Sequence, residues 1–177
     1  MIIWLTGISG SGKTTIATEI IRKYKAIFPN LINIDGDTVR NFFNNSLGYD
    51  INARINQIKR IQKICKFLEK QKLIIVVSAL YSNAELMKWN RENFSDYYEI
   101  YLEASLNLVK NRDPKGLYKK FAEGIEKNVV GIDIPWLKPI NYDLKITMSD
   151  NSKLDDVIKK ISMNIKIFRD LEKINEN

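Results

Sequence analysis

The chain has 177 residues, 45% of them apolar, which is enough to bury one core and too few for two, so a single domain over residues 1–177 is expected. Its 28 Lys and Arg against 21 Asp and Glu give a net charge of +7, which attracts anions without choosing among nucleotides, nucleic acid and membrane headgroups. No apolar run is long enough to span a bilayer, no basic leader precedes the first apolar run, and the lone cysteine, Cys65, excludes a disulfide within the chain; a cytoplasmic protein with no membrane partner is expected.

Short β-branched or apolar runs alternate with helical patterns along the chain. Ile2–Thr6 reads as a strand and leads into the glycine-rich run Gly7-Ile8-Ser9-Gly10-Ser11-Gly12-Lys13-Thr14, followed by the helix-competent Thr15-Ile16-Ala17-Thr18-Glu19-Ile20. Leu31–Asp35 is the second expected strand. Ile55, Ile58, Ile61, Cys65 and Leu68 then recur at three-and-four spacing, the apolar face of a helix, with Asn56, Lys59, Gln62 and Lys63 turned away. Leu73–Ser78, Tyr97–Leu102 and Tyr142–Met148 are the remaining strands. Residues 113–139 break the alternation, gathering three of the four prolines with Gly116, Gly124 and Gly131, and read as a mobile flap. From Asp150 a closing helix is expected, N-capped at Asn151 or Ser152, with Val157, Ile158, Ile161 and Ile165 on one face. The order predicts an α/β fold: a five-stranded, mainly parallel sheet with helices on both faces and ligands beyond the carboxyl ends of the strands.

The glycine-rich run has the spacing G-x-x-x-x-G-K-[ST] between a strand and a helix, the context that makes it a phosphate-binding loop. Gly10, Ser11, Gly12, Lys13, Thr14 and Thr15 are the candidate ligands of ATP: backbone N–H groups face the phosphates, Lys13 brings a full charge to the β and γ oxygens, and Thr14 offers a hydroxyl to Mg²⁺. A GTPase would need an N-K-x-D guanine motif, which is absent, and Asp113-Pro114-Lys115-Gly116 imitates D-x-x-G too late to act as a switch. The second strand ends in Asp35-Gly36-Asp37-Thr38-Val39-Arg40. A carboxylate beside the γ-phosphate can accept a hydroxyl proton from an acceptor or hold Mg²⁺ through water, and an arginine can clamp the acceptor's own phosphate. Strand alternation puts Asp35 and Asp37 on the same side, so spacing does not decide which is the base.

With these residues in view the chain resembles the adenylyl-sulfate kinase family, which uses ATP and Mg²⁺ to phosphorylate the 3′-hydroxyl of a nucleotide's ribose. The resemblance covers most of the chain and rests on Gly7 to Thr15, Asp35-Gly36-Asp37 with Val39-Arg40, Leu47-Gly48-Tyr49, Arg54 followed by Ile58-Lys59-Arg60-Ile61, the run from Arg112 to Lys120, and Gly131-Ile132-Asp133. It implies that Asp37 is the base, acting with Lys13, that Arg40 and Arg54 hold the acceptor's phosphate end, and that Arg112 to Lys120 form a basic lid. Arg112 would serve the ATP, and Lys115 and Lys119 the acceptor; Asp35, Tyr49, Ser78, Val129 and Ile132 complete the acceptor set. A homodimer is also implied.

Two segments depart from the family, the second also by losing its proline. Its members carry an aromatic pair around the acceptor's adenine where this chain has Tyr49 and Val129, and an aromatic after the third strand where Ser78-Ala79-Leu80-Tyr81-Ser82 has Ala79. A valine offers no π face for stacking. The chain looks like the family's capsule-pathway branch, whose acceptor, cytidine diphosphoramidate, has a smaller base; the alternative acceptor is adenylyl sulfate. A nucleic-acid-binding role would use the positive charge and the eight tyrosines, but there is no arginine-rich arm or aromatic-basic ribbon, so no nucleic-acid partner is expected.

Overall fold

The five expected strands, β1 (Ile2–Thr6), β2 (Leu31–Asp35), β3 (Ile74–Ser78), β4 (Tyr97–Glu103) and β5 (Leu144–Thr147), form one sheet in the order β2-β3-β1-β4-β5, every pairing parallel. The computed structural model describes residues 1–80 and 83–175, with only the backbone of 173–175. Strand β1 (Ile2–Thr6) is central and buried along its whole length, as a parallel strand covered on both faces must be. Its side chains alternate between two cores. Ile3 and Leu5 pack with Ile16, Ala17 and Ile20 of α1 (Lys13–Tyr24) and with Val157, Ile158 and Ile161 of α7 (Leu154–Asn164). Ile2 and Trp4 pack with Ile58, Ile61 and Cys65 of α3 (Ile51–Lys70) and Leu86 and Met87 of α4 (Ala84–Asn93). Each of the Val, Ile, Leu and Met side chains among them contributes about 1.5 to 3 kcal/mol on burial.

The strand ends differ by a residue or two from the sequence pattern. Strand β2 (Leu31–Asp35) matches, β3 is Ile74–Ser78, β4 runs on to Glu103 from Tyr97, and β5 is only Leu144–Thr147. Leu73 belongs to the helix end: after Lys72 turns left-handed (φ 61°), the Leu73 N–H donates back to the Leu68 carbonyl. Gln62 does not face away from the core. It is buried and donates to the Leu86 carbonyl (2.9 Å) and to Asn90 Oδ1 (2.8 Å), tying α3 to α4. The closing helix starts at Leu154 with Lys153 at its N-cap and no side-chain cap, because the Ser152 hydroxyl accepts instead from the Ser149 N–H (2.8 Å). A break at Ile165 opens a further helix, α8 (Lys166–Asn175), whose Phe168 stacks on Tyr24 at 4.2 Å.

The segment expected to be a flap contains structure. After α5 (Leu106–Arg112) comes the short α6 (Leu117–Ala122), and a small core of Ile8, Val109, Tyr118 and Val129 docks it on the glycine-rich loop. The Tyr118 hydroxyl donates to the Ser9 carbonyl at 3.0 Å. Among the described residues no helix is long and apolar enough to cross a membrane.

Candidate active site

The carboxyl ends of β1, β2 and β3 open into a cleft of about 740 Å³ lined by the glycine-rich loop on one side and the 112–128 segment on the other. The loop turns into α1 at Gly12, which sits at φ 99°, a backbone region that a side chain would strain. No side chain caps α1 and no acidic residue stands in its first turn, so the helix amino end keeps its partial positive charge for an anion. Gly10, Gly12, Lys13, Thr14 and Thr15 line the cleft; Ser11 is fully buried beneath it. Lys13 Nζ donates to the Gly7 and Ile8 carbonyls, both at 2.8 Å, folded over the loop it would serve. Burial, reinforced by the nearby charge of Lys115, lowers its pKa to about 7.

The two carboxylates of the second motif have different partners. Asp35 is register-paired with Ser78, and its Oδ2 accepts from Ser78 Oγ (2.7 Å) and Thr14 Oγ1 (2.8 Å). Its Oδ1 accepts from the N–H groups of Asp37 (2.9 Å) and Thr38 (3.3 Å), making Asp35 the N-cap of α2 (Gly36–Phe42). Burial raises the Asp35 pKa, but the donated hydrogen bonds outweigh it and the net shift is downward. Asp37, in the first turn of α2, lines the cleft, where Lys115 Nζ donates to its Oδ2.

Beyond Asp37 the cleft widens over Arg40, Tyr49 and Arg54. Arg40 donates to the carbonyls of Leu47 (3.3 Å) and Gly48 (2.9 Å), holding the chain that carries Tyr49, and lies over the Tyr49 ring at 4.5 Å; Arg54 approaches the same ring at 5.7 Å and donates to the Asn128 carbonyl at 2.6 Å. Arg112 lines the opposite rim and donates to the Ser149 carbonyl at 2.6 Å. Ala79 forms part of the floor with Ile58 and Ile61; Tyr81 and Ser82 of the rebuilt segment lie outside the described residues.

Three expected acceptor residues are not in the cleft. Val129 is 1% exposed, enclosed by Ile8, Val109 and Tyr118, so its substitution for an aromatic changes a core and not a cleft wall. The wall at that point is Glu126, Lys127 and Asn128. Ile132 and Lys119 line a separate shallow depression with Tyr118 and Phe121, and Lys119 pairs with Glu123 at 4.0 Å. Asp133 explains the Gly131-Ile132-Asp133 run: its carboxylate accepts from the N–H groups of Asn128 (2.7 Å) and Val129, closing the loop below the wall. The cleft also contains residues that the motifs did not single out, notably Asn41, Asn45 and Gln57. Gln57 was within reach of the helical pattern, since it falls on the face shared by Arg54, Ile58 and Ile61.

A parallel sheet, a glycine-rich loop entering a helix, and a carboxylate bonded to the loop threonine define a P-loop phosphotransferase. The sequence model of the adenylylsulphate kinase family matches residues 1–147, and the chain belongs to that family. It is 39% identical to the cytidine diphosphoramidate kinase of Campylobacter jejuni subsp. jejuni serotype O:2, over 92% of this chain and 96% of that one. It is 35% identical to the adenylyl-sulfate kinase of Gloeothece citriformis, over 90% of each chain. Among solved structures, the Mycobacterium tuberculosis APS kinase in complex with AMPPNP and APS superposes with a TM-score of 0.85 at 28% identity, over 93% of this chain and 96% of that one. Shikimate kinase from Aquifex aeolicus shares the fold at 15% identity and a TM-score of 0.54.

Proposed function

We propose that this chain transfers the γ-phosphoryl group of ATP to the ribose 3′-hydroxyl of cytidine diphosphoramidate, in the capsular phosphoramidate pathway. The observation that carries the reaction type is the division of labour between the carboxylates: Asp35 is tied to Thr14, Ser78 and two N–H groups, while Asp37 faces the cleft beside the glycine-rich loop. Asp37 takes the hydroxyl proton. Lys13 and the amino end of α1 hold the β- and γ-phosphates and stabilise the charge that spreads over the transferring group. Thr14 Oγ1 and Asp35 Oδ2 form an all-oxygen pair suited to a hard cation, so these residues would hold Mg²⁺, which supplies charge neutralisation at the phosphates when bound. Arg40 and Arg54 bind the phosphate end of the acceptor, Tyr49 lies along its base, and Arg112 flanks ATP.

Two facts support the cytidine acceptor over adenylyl sulfate: the 39% identity to the Campylobacter jejuni kinase across nearly the whole chain, and the small Ala79 in the cleft floor. The buried Val129 lends that choice no weight. We read the enzyme as a cytoplasmic homodimer. The test is a comparison of kcat/KM for the two acceptors with ATP and Mg²⁺, with phosphorus NMR to locate the new phosphate. The reading predicts a 3′-phosphate and a higher kcat/KM for the cytidine compound; a higher value for adenylyl sulfate makes this an enzyme of sulfate activation.

A further inference from the structure

We propose that Lys115 is a positioning residue that occupies Asp37 as its ion-pair partner until an anionic acceptor draws it away. The proposal rests on Asp37 being the base and is independent of which nucleotide the acceptor is.

Lys115 Nζ donates to Asp37 Oδ2, and Asp37 makes no other side-chain hydrogen bond among the described residues, whereas both oxygens of Asp35 are occupied. The lysine reaches Asp37 from the tip of a tight turn between α5 and α6. The turn is fixed by left-handed backbone at Asp113 (φ 22°) and Gly116 (φ 63°), by the Gly116 N–H donating to the Asp113 carbonyl (2.9 Å), and by the Asp113 carboxylate accepting from the Lys119 N–H (2.9 Å). A Cβ on Gly116 would meet nothing within 4 Å, so this glycine serves the turn and not packing. The backbone is held while the side chain is free to exchange partners.

Both side chains of the pair are 59% exposed, and an ion pair so open to solvent is weak. A lysine has three donors, so Lys115 can hold a phosphate oxygen of ATP and Asp37 together. The acceptor brings further phosphate charge to the Arg40 and Arg54 end of the same cleft, which competes for the ammonium and leaves Asp37 open to the incoming hydroxyl. With Lys115 in place and no acceptor, the ammonium occupies Asp37 Oδ2 and competes with water for the carboxylate. Without it, a water oxygen can attack Pγ as its proton passes to the Asp37 carboxylate; the new O–P bond forms while the bond from Pγ to the β,γ-bridging oxygen breaks, and ADP leaves with that electron pair.

The experiment is phosphate release from ATP and Mg²⁺ with no acceptor present, for the wild type, Lys115→Met, Lys115→Arg, and Lys115→Met combined with Asp37→Asn. The proposal predicts that K115M hydrolyses ATP at least about tenfold faster than wild type, a part of the 10²- to 10⁴-fold that a positioned base supplies, that K115R stays at the wild-type rate, and that Asp37→Asn removes the gain. Hydrolysis that is unchanged or slower in K115M, or a gain that persists without Asp37, overturns it. An error in the acceptor identity leaves this assay untouched, and an error in the base would appear separately as normal transfer by Asp37→Asn.

Discussion

At the phosphate end of the cleft the polar groups are tied to the fold: Lys13 to two loop carbonyls, Thr14 and Ser78 to Asp35, and Asp35 to the start of α2. At the acceptor end the side chains are larger and held by one another, with the buried Arg40 and Arg54 both close to the Tyr49 ring and a wall made of the polar run Glu126-Lys127-Asn128. In the proposed reading the first end binds a group common to every ATP, and its geometry is set by backbone and strand register. The second, which in that reading recognises the acceptor, is built from side chains on α2, α3 and a loop, which substitution can reshape without disturbing the sheet. Chemistry is conveyed by the first end and choice by the second.

The largest expected effect lies at the phosphate end. Lys13→Ala should lower phosphoryl transfer by about 10³-fold or more while leaving the melting temperature near wild type, since its amine touches only the loop. Asp37→Asn should lower kcat by about 10² to 10⁴ without loss of stability. Asp35→Ala, by contrast, should also destabilise the fold, by about 0.5 to 2 kcal/mol, through loss of the α2 cap; equal melting of the two variants would erase the distinction between them.

A third test lies in the sheet, away from both ends. Glu99 of β4 is fully buried, one of its carboxylate oxygens has no hydrogen-bond partner, and burial pushes its pKa up from 4.5 to about 7, against the Tyr97 hydroxyl and Arg91, which pull it down. Because the folded pKa is the higher one, the stability linked to this proton is complete below about pH 4.5 and is lost as pH rises through about 7. Glu99→Gln, neutral throughout, should therefore be more stable than wild type at pH 8, by on the order of a few kcal/mol, and should flatten the melting curve between pH 5 and 8. Circular dichroism melts across that range check it. The smallest expected effect on catalysis belongs to Val129. Enlarging it to Phe should overpack the core shared with Ile8, Val109 and Tyr118 and cost about 1 to 3 kcal/mol, with no gain in affinity for adenylyl sulfate; a gain would return this residue to the acceptor site.

Much of the phosphate end was legible in the sequence because its geometry is local. Eight consecutive residues set the loop, a strand and a helix flank it, and Asp35 is the last residue of a strand whose register with Ser78 follows from the parallel sheet. The pattern did not rank Asp35 against Asp37, because the ranking depends on hydrogen bonds from Thr14 and Ser78, which are distant in the chain. The acceptor end was less legible for the same reason. Val129, Ile132 and Lys119 stand within or beside the family's signature, yet the loop closed by Asp133 and the docking of α6 turn them away from the cleft and put Asn128 in its wall. Gln62 looked like a solvated helix residue and is a buried link between helices, which an apolar-spacing rule does not register.

The most direct test of the account offers the purified protein cytidine diphosphoramidate and adenylyl sulfate together, at equal concentration with limiting ATP and Mg²⁺, and reads the products by phosphorus NMR. The account predicts that the 3′-phosphorylated cytidine compound predominates. Predominance of the 3′-phosphorylated adenylyl sulfate would contradict it.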